Sequence, residues 1–153
     1  MSQAAPLTFT VPGEVRGKGR PRIVKIGGFA RLAADKKTAS YEGLIALAAE
    51  RALGGRPMLD GPLALHITVR MCPAASASKK ATAAMLAGEI APTKKPDLDN
   101  VIKAVLDGCN AVAFRDDVLV TQISAAKVYS TVPGIDVSIS SAFPPIASAA
   151  AAA

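Results

Sequence analysis

At 153 residues the chain is long enough to bury one core without disulfides or a structural metal. Half of it is apolar, yet no apolar stretch approaches the roughly 18–20 residues needed to span a bilayer; the opening MSQAAPLTFTVPGE lacks the basic and apolar regions of a secretory signal, so a cytoplasmic protein with no membrane partner is expected. The 18 Lys and Arg against 12 Asp and Glu, a formal charge of +6, favour a polyanionic partner.

Leu7-Thr8-Phe9-Thr10-Val11 alternates around β-formers and reads as a first strand. A Gly- and Arg-rich loop follows from Gly13 to Pro21. Ile23 to Ile26 and Phe29 to Leu32 then flank Gly27-Gly28, a pair able to supply the positive φ angles of a tight hairpin turn. Between Arg16 and Lys37 lie eight basic residues (Arg16, Lys18, Arg20, Arg22, Lys25, Arg31, Lys36 and Lys37) against the single acid Asp35.

Thr38 to about Leu53 reads as a helix, with Tyr41, Leu44, Ile45, Ala48 and Ala52 near a 3.6-residue spacing. Pro62 to Met71 reads as a strand. It contains His66, the chain's lone histidine, which is expected to be structural because no nucleophile motif accompanies it. The two cysteines, Cys72 and Cys109, are far apart and read as small buried hydrophobes. One His and two scattered Cys make a poor zinc set.

Ser76 to Glu89 has alanine-rich helical character, and Thr93-Lys94-Lys95-Pro96 is a loop because proline disfavours helical geometry in the residue before it. A second amphipathic helix spans about Asp99 to Val112, with Leu98, Val101, Ile102, Val105, Leu106, Cys109 and Val112 as its apolar stripe. Val118 to Tyr129 and Gly134 to Ser141 read as neighbouring strands. The sum is an α+β fold: a single domain over residues 1–143, with a mixed sheet flanked by two or three helices, and a mobile Ala-rich tail over 144–153.

Five of the twelve acids fall between Asp97 and Asp117, so the basic surface carries a concentrated acidic spot. Asp97 and Asp99 are two apart, a spacing that in extended chain turns both carboxylates to one side. Lys103 follows one helical turn after Asp99, and the helix returns the chain to Asp116-Asp117. Carboxylates without histidine form a hard oxygen set, suited to Mg²⁺, or Mn²⁺ in its place, rather than zinc. The same residues fit a plainer role: Asp97 or Asp99 capping the helix, Lys103 in an i,i+4 pair, and Asp116-Asp117 in a turn. Spacing alone leaves both readings open.

The stretch KKPDLDNVIKAVLDGCNAV, then FRDD, then Lys127 ten residues after Asp117, resembles the defining region of the RusA family of Holliday-junction resolvases. VPGEVRGKGRPR (Val11 to Arg22) and Lys36-Lys37-Thr38 with Tyr41-Glu42 also look like that family's opening hairpin and first helix, so the likeness runs from about Phe9 to Ile139. It implies a homodimeric, Mg²⁺-dependent endodeoxyribonuclease that resolves four-way DNA junctions by paired nicks. By position, Asp97, Asp99 and Asp117 match the metal-binding catalytic aspartates, with Asp116 as a further metal candidate. Lys103 matches the essential helix lysine, and Asn100 a bracing asparagine. Leu119 departs from the family, which often has Gln there.

Gly17-Lys18-Gly19-Arg20-Pro21-Arg22 lacks the third glycine of a GxGxxG loop and no βαβ unit surrounds it, so it is not a nucleotide cradle. Beside a carboxylate nuclease motif it reads as a DNA-backbone contact through Lys18, Arg20 and Arg22, extended by Lys36, Lys37, Lys94 and Lys95. Two Tyr, four Phe and no Trp argue against a single-strand binder built on stacking. Two alternatives stand beside the resolvase: a non-catalytic basic DNA-binding protein, and a carboxylate nuclease acting on other branched DNA or on RNA.

Overall fold

The computed structural model describes residues 5–18, 22–33 and 36–142; for 22–26, 29–33 and 36–38 it describes the backbone only. Arg20 and the expected tail over 144–153 therefore lie outside the described residues. The elements are β1 (Leu7–Pro12), β2 (Arg22–Ile26), β3 (Phe29–Ala33), α1 (Lys36–Leu53), β4 (Leu63–Met71), α2 (Lys79–Leu86), α3 (Leu98–Cys109), β5 (Val120–Tyr129) and β6 (Gly134–Ser141). A four-stranded mixed sheet runs β1-β6-β4-β5, and β2-β3 form a separate hairpin. The fold is α+β, as expected.

Period-two alternation decides which side of the sheet is covered. Leu7 and Val11 of β1, Leu63, Leu65, Ile67 and Val69 of β4, and Ile135, Val137 and Ile139 of β6 are all buried on one face. α1 and α3 lie over that face. α1 buries the line Tyr41, Ile45, Ala49 and Leu53, whereas Leu44, expected on its stripe, stays exposed. α1 packs on the edge strand β1 and on α3, so it offers the core only a narrow stripe. α2 has no buried residue.

α3 buries Val101, Ala104, Val105, Gly108 and Cys109. It stops at Cys109, three residues before the expected end. Asn110 turns extended and Ala111 takes a positive φ of 60°. That turn lets the Val112 and Ala113 N–H groups both donate to the Cys109 carbonyl and sends Phe114 fully into the core.

Two expectations are corrected. Cys109 is buried, but Cys72 is exposed, because it lies one residue beyond the end of β4. The two C-terminal strands are not neighbours: β4 lies between them, parallel to β5 and antiparallel to β6. Burial explains the order. β6 is apolar enough for the sheet interior, whereas β5 carries Thr121 and Ser124 exposed and suits an edge.

The link from β5 to β6 crosses the end of β4, and Arg70 of β4 holds it there. Its Nη1 donates to the Val132 carbonyl (2.8 Å) while Nε and Nη2 donate to Asp136 (2.9 and 3.2 Å). Thr10 donates to the same carboxylate from β1 (2.7 Å). Replacing Arg70 with Ala leaves Asp136 and the Val132 carbonyl without this partner, a loss of about 2 kcal/mol. Urea unfolding measures it; a change below about 0.5 kcal/mol, the size of an ordinary surface substitution, would mean that the crossover does not depend on Arg70.

Candidate active site

The apolar stripe of α3 faces the sheet, so its polar residues face outward. Asp99, Lys103 and Asp107 recur every four residues and form one exposed line along the helix. Asp97 occupies the N-cap position with extended backbone, and its carbonyl accepts the first helical bond from Val101 N–H (3.1 Å). Its carboxylate makes no capping hydrogen bond. Nor do the ion pairs among the described residues include Asp99 with Lys103. These two parts of the plainer reading, a side-chain cap and an i,i+4 pair, are not what the side chains do.

The second pair is used differently. Asp116 caps the single 3₁₀ turn Asp117–Leu119 by accepting from Val118 N–H (3.3 Å). Asn110, at the end of α3, accepts from the Asp117 backbone N–H through Oδ1 (3.1 Å), tying that turn to the helix. Sequence reasoning missed this role of Asn110, since an asparagine after a helix signals a stop and nothing about its reach. The Asp117 carboxyl shares a hydrogen bond with Asp116, loses some solvation, and faces the charges of Asp116 and Asp107. Together these hold it above the usual carboxylate range.

The two pairs stay apart. From Asp97 to Asn110 the helix advances about 1.5 Å per residue, or about 20 Å in all. No group of three or more His, Cys, Asp or Glu among the described residues is placed to hold a metal ion. In chemistry the donors suit Mg²⁺, which takes few protein carboxylates and completes its shell with waters and phosphate oxygens. In number, one chain does not assemble Asp97, Asp99 and Asp117 into a single set.

Cations surround the Asp97 end. Lys94, Lys95 and Lys103 are exposed there, and Lys127 of β5 donates to the Lys94 carbonyl, anchoring the loop that leads into α3. A cleft of about 320 Å³ separates Lys95, Pro96 and Asp97 from the loop Glu14–Lys18. Lys18 itself turns to an ion pair with Asp107, with Glu42 Oε1 at 4.0 Å. The side chains of Arg22, Lys36 and Lys37 lie outside the described residues. His66 pairs its Nδ1 with the Ser124 hydroxyl on the opposite, open face of the sheet, away from these acids.

The family model described as Endodeoxyribonuclease RusA matches residues 12–140. The chain is also 33% identical over 137 residues to the uncharacterized protein YqaN of Bacillus subtilis (strain 168), a match covering 87% of this chain and 94% of that protein. No helix among the described residues is long and apolar enough to cross a membrane.

The like charges around Asp117 give a measurable consequence. A carboxyl held above its ordinary range costs the folded state stability once the pH rises past the point where the unfolded chain ionises. Asp117→Asn therefore raises the Tm of the metal-free protein at neutral pH. The gain disappears as the pH falls through the carboxylate range, where Asp117 is protonated in both states, and it shrinks in high salt. Thermal melts in EDTA from pH 3 to pH 8 check this; an equal Tm for both proteins at neutral pH would remove the repulsion from the account.

Proposed function

Because the chain belongs to the RusA family of endodeoxyribonucleases, we propose that it resolves four-way DNA junctions as a two-fold homodimer whose metal sites are shared between the copies. The chain is a DNA-cutting enzyme by family, which sets aside the purely DNA-binding alternative. The reading is carried by the separation of the two acidic pairs along α3, with the Asp97 carboxylate left free of capping.

A two-fold axis perpendicular to a strand sets that strand antiparallel to its copy. The strand nearest α3 at the sheet's edge is β5, ten residues long. Ile123 and Val128 on it are 45% and 39% exposed, and Val118 just before it is 74% exposed. Along this edge β5 presents unpaired backbone N–H and C=O groups, a ready template for pairing with another strand. Pairing β5 with its copy brings the N-terminal end of one α3 beside the C-terminal end of the other. Lys94, Lys95, Lys103 and Lys127 at the first end then face Asp116 and Asp117 at the second, a complementary match of charge.

In that arrangement Asp97 and Asp99 of one copy and Asp117 of the other would hold Mg²⁺, or Mn²⁺ in its place, with Asp116 bracing the turn. When bound, the cation neutralises phosphoryl charge and makes water acidic enough to serve as the nucleophile. The chain's own part is positional and electrostatic. Lys103, one turn along from Asp99, sets an ammonium beside the phosphate, and Lys94 and Lys95 grip the neighbouring backbone without reading sequence. Two such sites related by two-fold symmetry suit the paired nicks that a four-way junction requires.

Cleavage of a synthetic four-way junction, beside linear duplex of the same sequence and with Mg²⁺ or EDTA, tests the activity. Paired nicks are expected in the junction alone and only with Mg²⁺; competition with flaps, Y-forks and RNA separates the other substrates. Asp97→Asn and Asp99→Asn are expected to abolish cutting while junction binding survives. Mixing inactive Asp97→Asn and Asp117→Asn proteins tests the shared site. Each mixed dimer then has one fully wild-type site and one doubly substituted site, so single nicks should return without paired cuts. A mixture as inactive as its components would place all three aspartates in one chain.

A further inference from the structure

Lys18 belongs to the basic run that reads as a phosphate grip, but its contacts are made to the protein's own helices. Its backbone N–H donates to the Asn100 carbonyl in the first turn of α3 (3.0 Å). The residue before it, Gly17, lies so close to the same turn that an added Cβ would stand 2.8 Å from Asn100 Cβ. Two turns further along α3, the Lys18 ammonium pairs with Asp107, and Glu42 of α1 lies at 4.0 Å. Two consecutive residues thus hold the loop to both helices through a close approach, a backbone bond and an ion pair.

We propose that Lys18 is a positioning residue that latches the root of the basic loop onto α3, rather than a contact to DNA phosphate. Three residues of sequence separate Lys18 from the β2-β3 hairpin, which carries Arg22, Lys25 and Arg31. Asp107 stands on the same exposed line of α3 as Asp99 and Lys103. The latch therefore fixes Lys18, three residues ahead of the hairpin in sequence, relative to the residues proposed to cut. It also offsets part of the negative charge that Asp107 imposes on Asp117.

This inference rests on the resolvase reading for its DNA consequence and on the loop geometry alone for its structural one. The sign of one substitution separates a latch from a phosphate contact. Removing the acid by Asp107→Asn makes the protein more positive and frees Lys18, so a phosphate-gripping Lys18 predicts tighter junction binding. A latch predicts that Asp107→Asn and Lys18→Met each weaken binding about fivefold, the size of a partly exposed ion pair, and that the double variant is no weaker than either. Binding is measured in EDTA at fixed salt, so that metal ligation plays no part. Hydrogen exchange of the Lys18 amide in the free full-length chain is the second readout, expected to quicken in both single variants. Tighter binding by Asp107→Asn, or an unchanged Lys18 amide in both variants, overturns the latch. Failure of the wild-type protein to bind or cut a junction would instead overturn the resolvase reading and leave the exchange result to decide the latch.

Discussion

An added Cβ on Gly108 would lie 2.8 Å from Ile45 Cβ and 3.0 Å from the Glu42 carbonyl, so only glycine lets α1 and α3 approach this closely. That contact, together with the burial of Val101, Ala104, Val105 and Cys109, fixes how α3 lies over the sheet. The helix can then rotate little without exposing its apolar stripe. Every polar residue of the candidate site takes its direction from this constraint. Asp99, Lys103 and Asp107 face solvent because the opposite side of the same helix is committed to the core.

The helix also acts as a spacer. It sets an acidic pair with surrounding lysines at one end and a denser acidic group at the other. Like charges held together at Asp107, Asp116 and Asp117 oppose one another, and the fold keeps them there with specific contacts: Asn110 on the Asp117 backbone, Asp116 on Val118, and Lys18 on Asp107. Such an arrangement suits a protein that meets a cation and a polyanion during its work. Asp97, at the N-terminal end of the helix, makes no capping hydrogen bond with its carboxylate.

The sheet has a matching asymmetry. Its helix-facing side is a continuous apolar surface, and its other side carries Thr8, Thr10, His66, Ser124 and Ser138, which water can solvate. The strand order places the polar and partly exposed β5 at the rim beside α3, and the well-buried β4 and β6 inside. Arg70 and Asp136 secure the crossover that makes this order possible. The exposed edge thus runs alongside the helix that carries the divided acids.

The α+β class, each strand and helix, and the Asp-Leu-Asp-Asn segment with its lysine were legible in the sequence, because periodicity reports the buried face of a local element and a long motif reports a family. The helix end at Cys109, the placement of β4 between β5 and β6, and the exposure of Cys72 and Leu44 were not legible. These depend on which surfaces meet, and residues far apart in the chain decide that. Lys18 shows the limit most clearly. In the sequence it is one cation among eight, yet in the fold it pairs with an acid 89 residues away. Spacing also suggested that Asp97, Asp99 and Asp117 converge. Sequence determined that the acids flank a helix, but the length of that helix, held rigid by its buried face, decided that one chain keeps them apart.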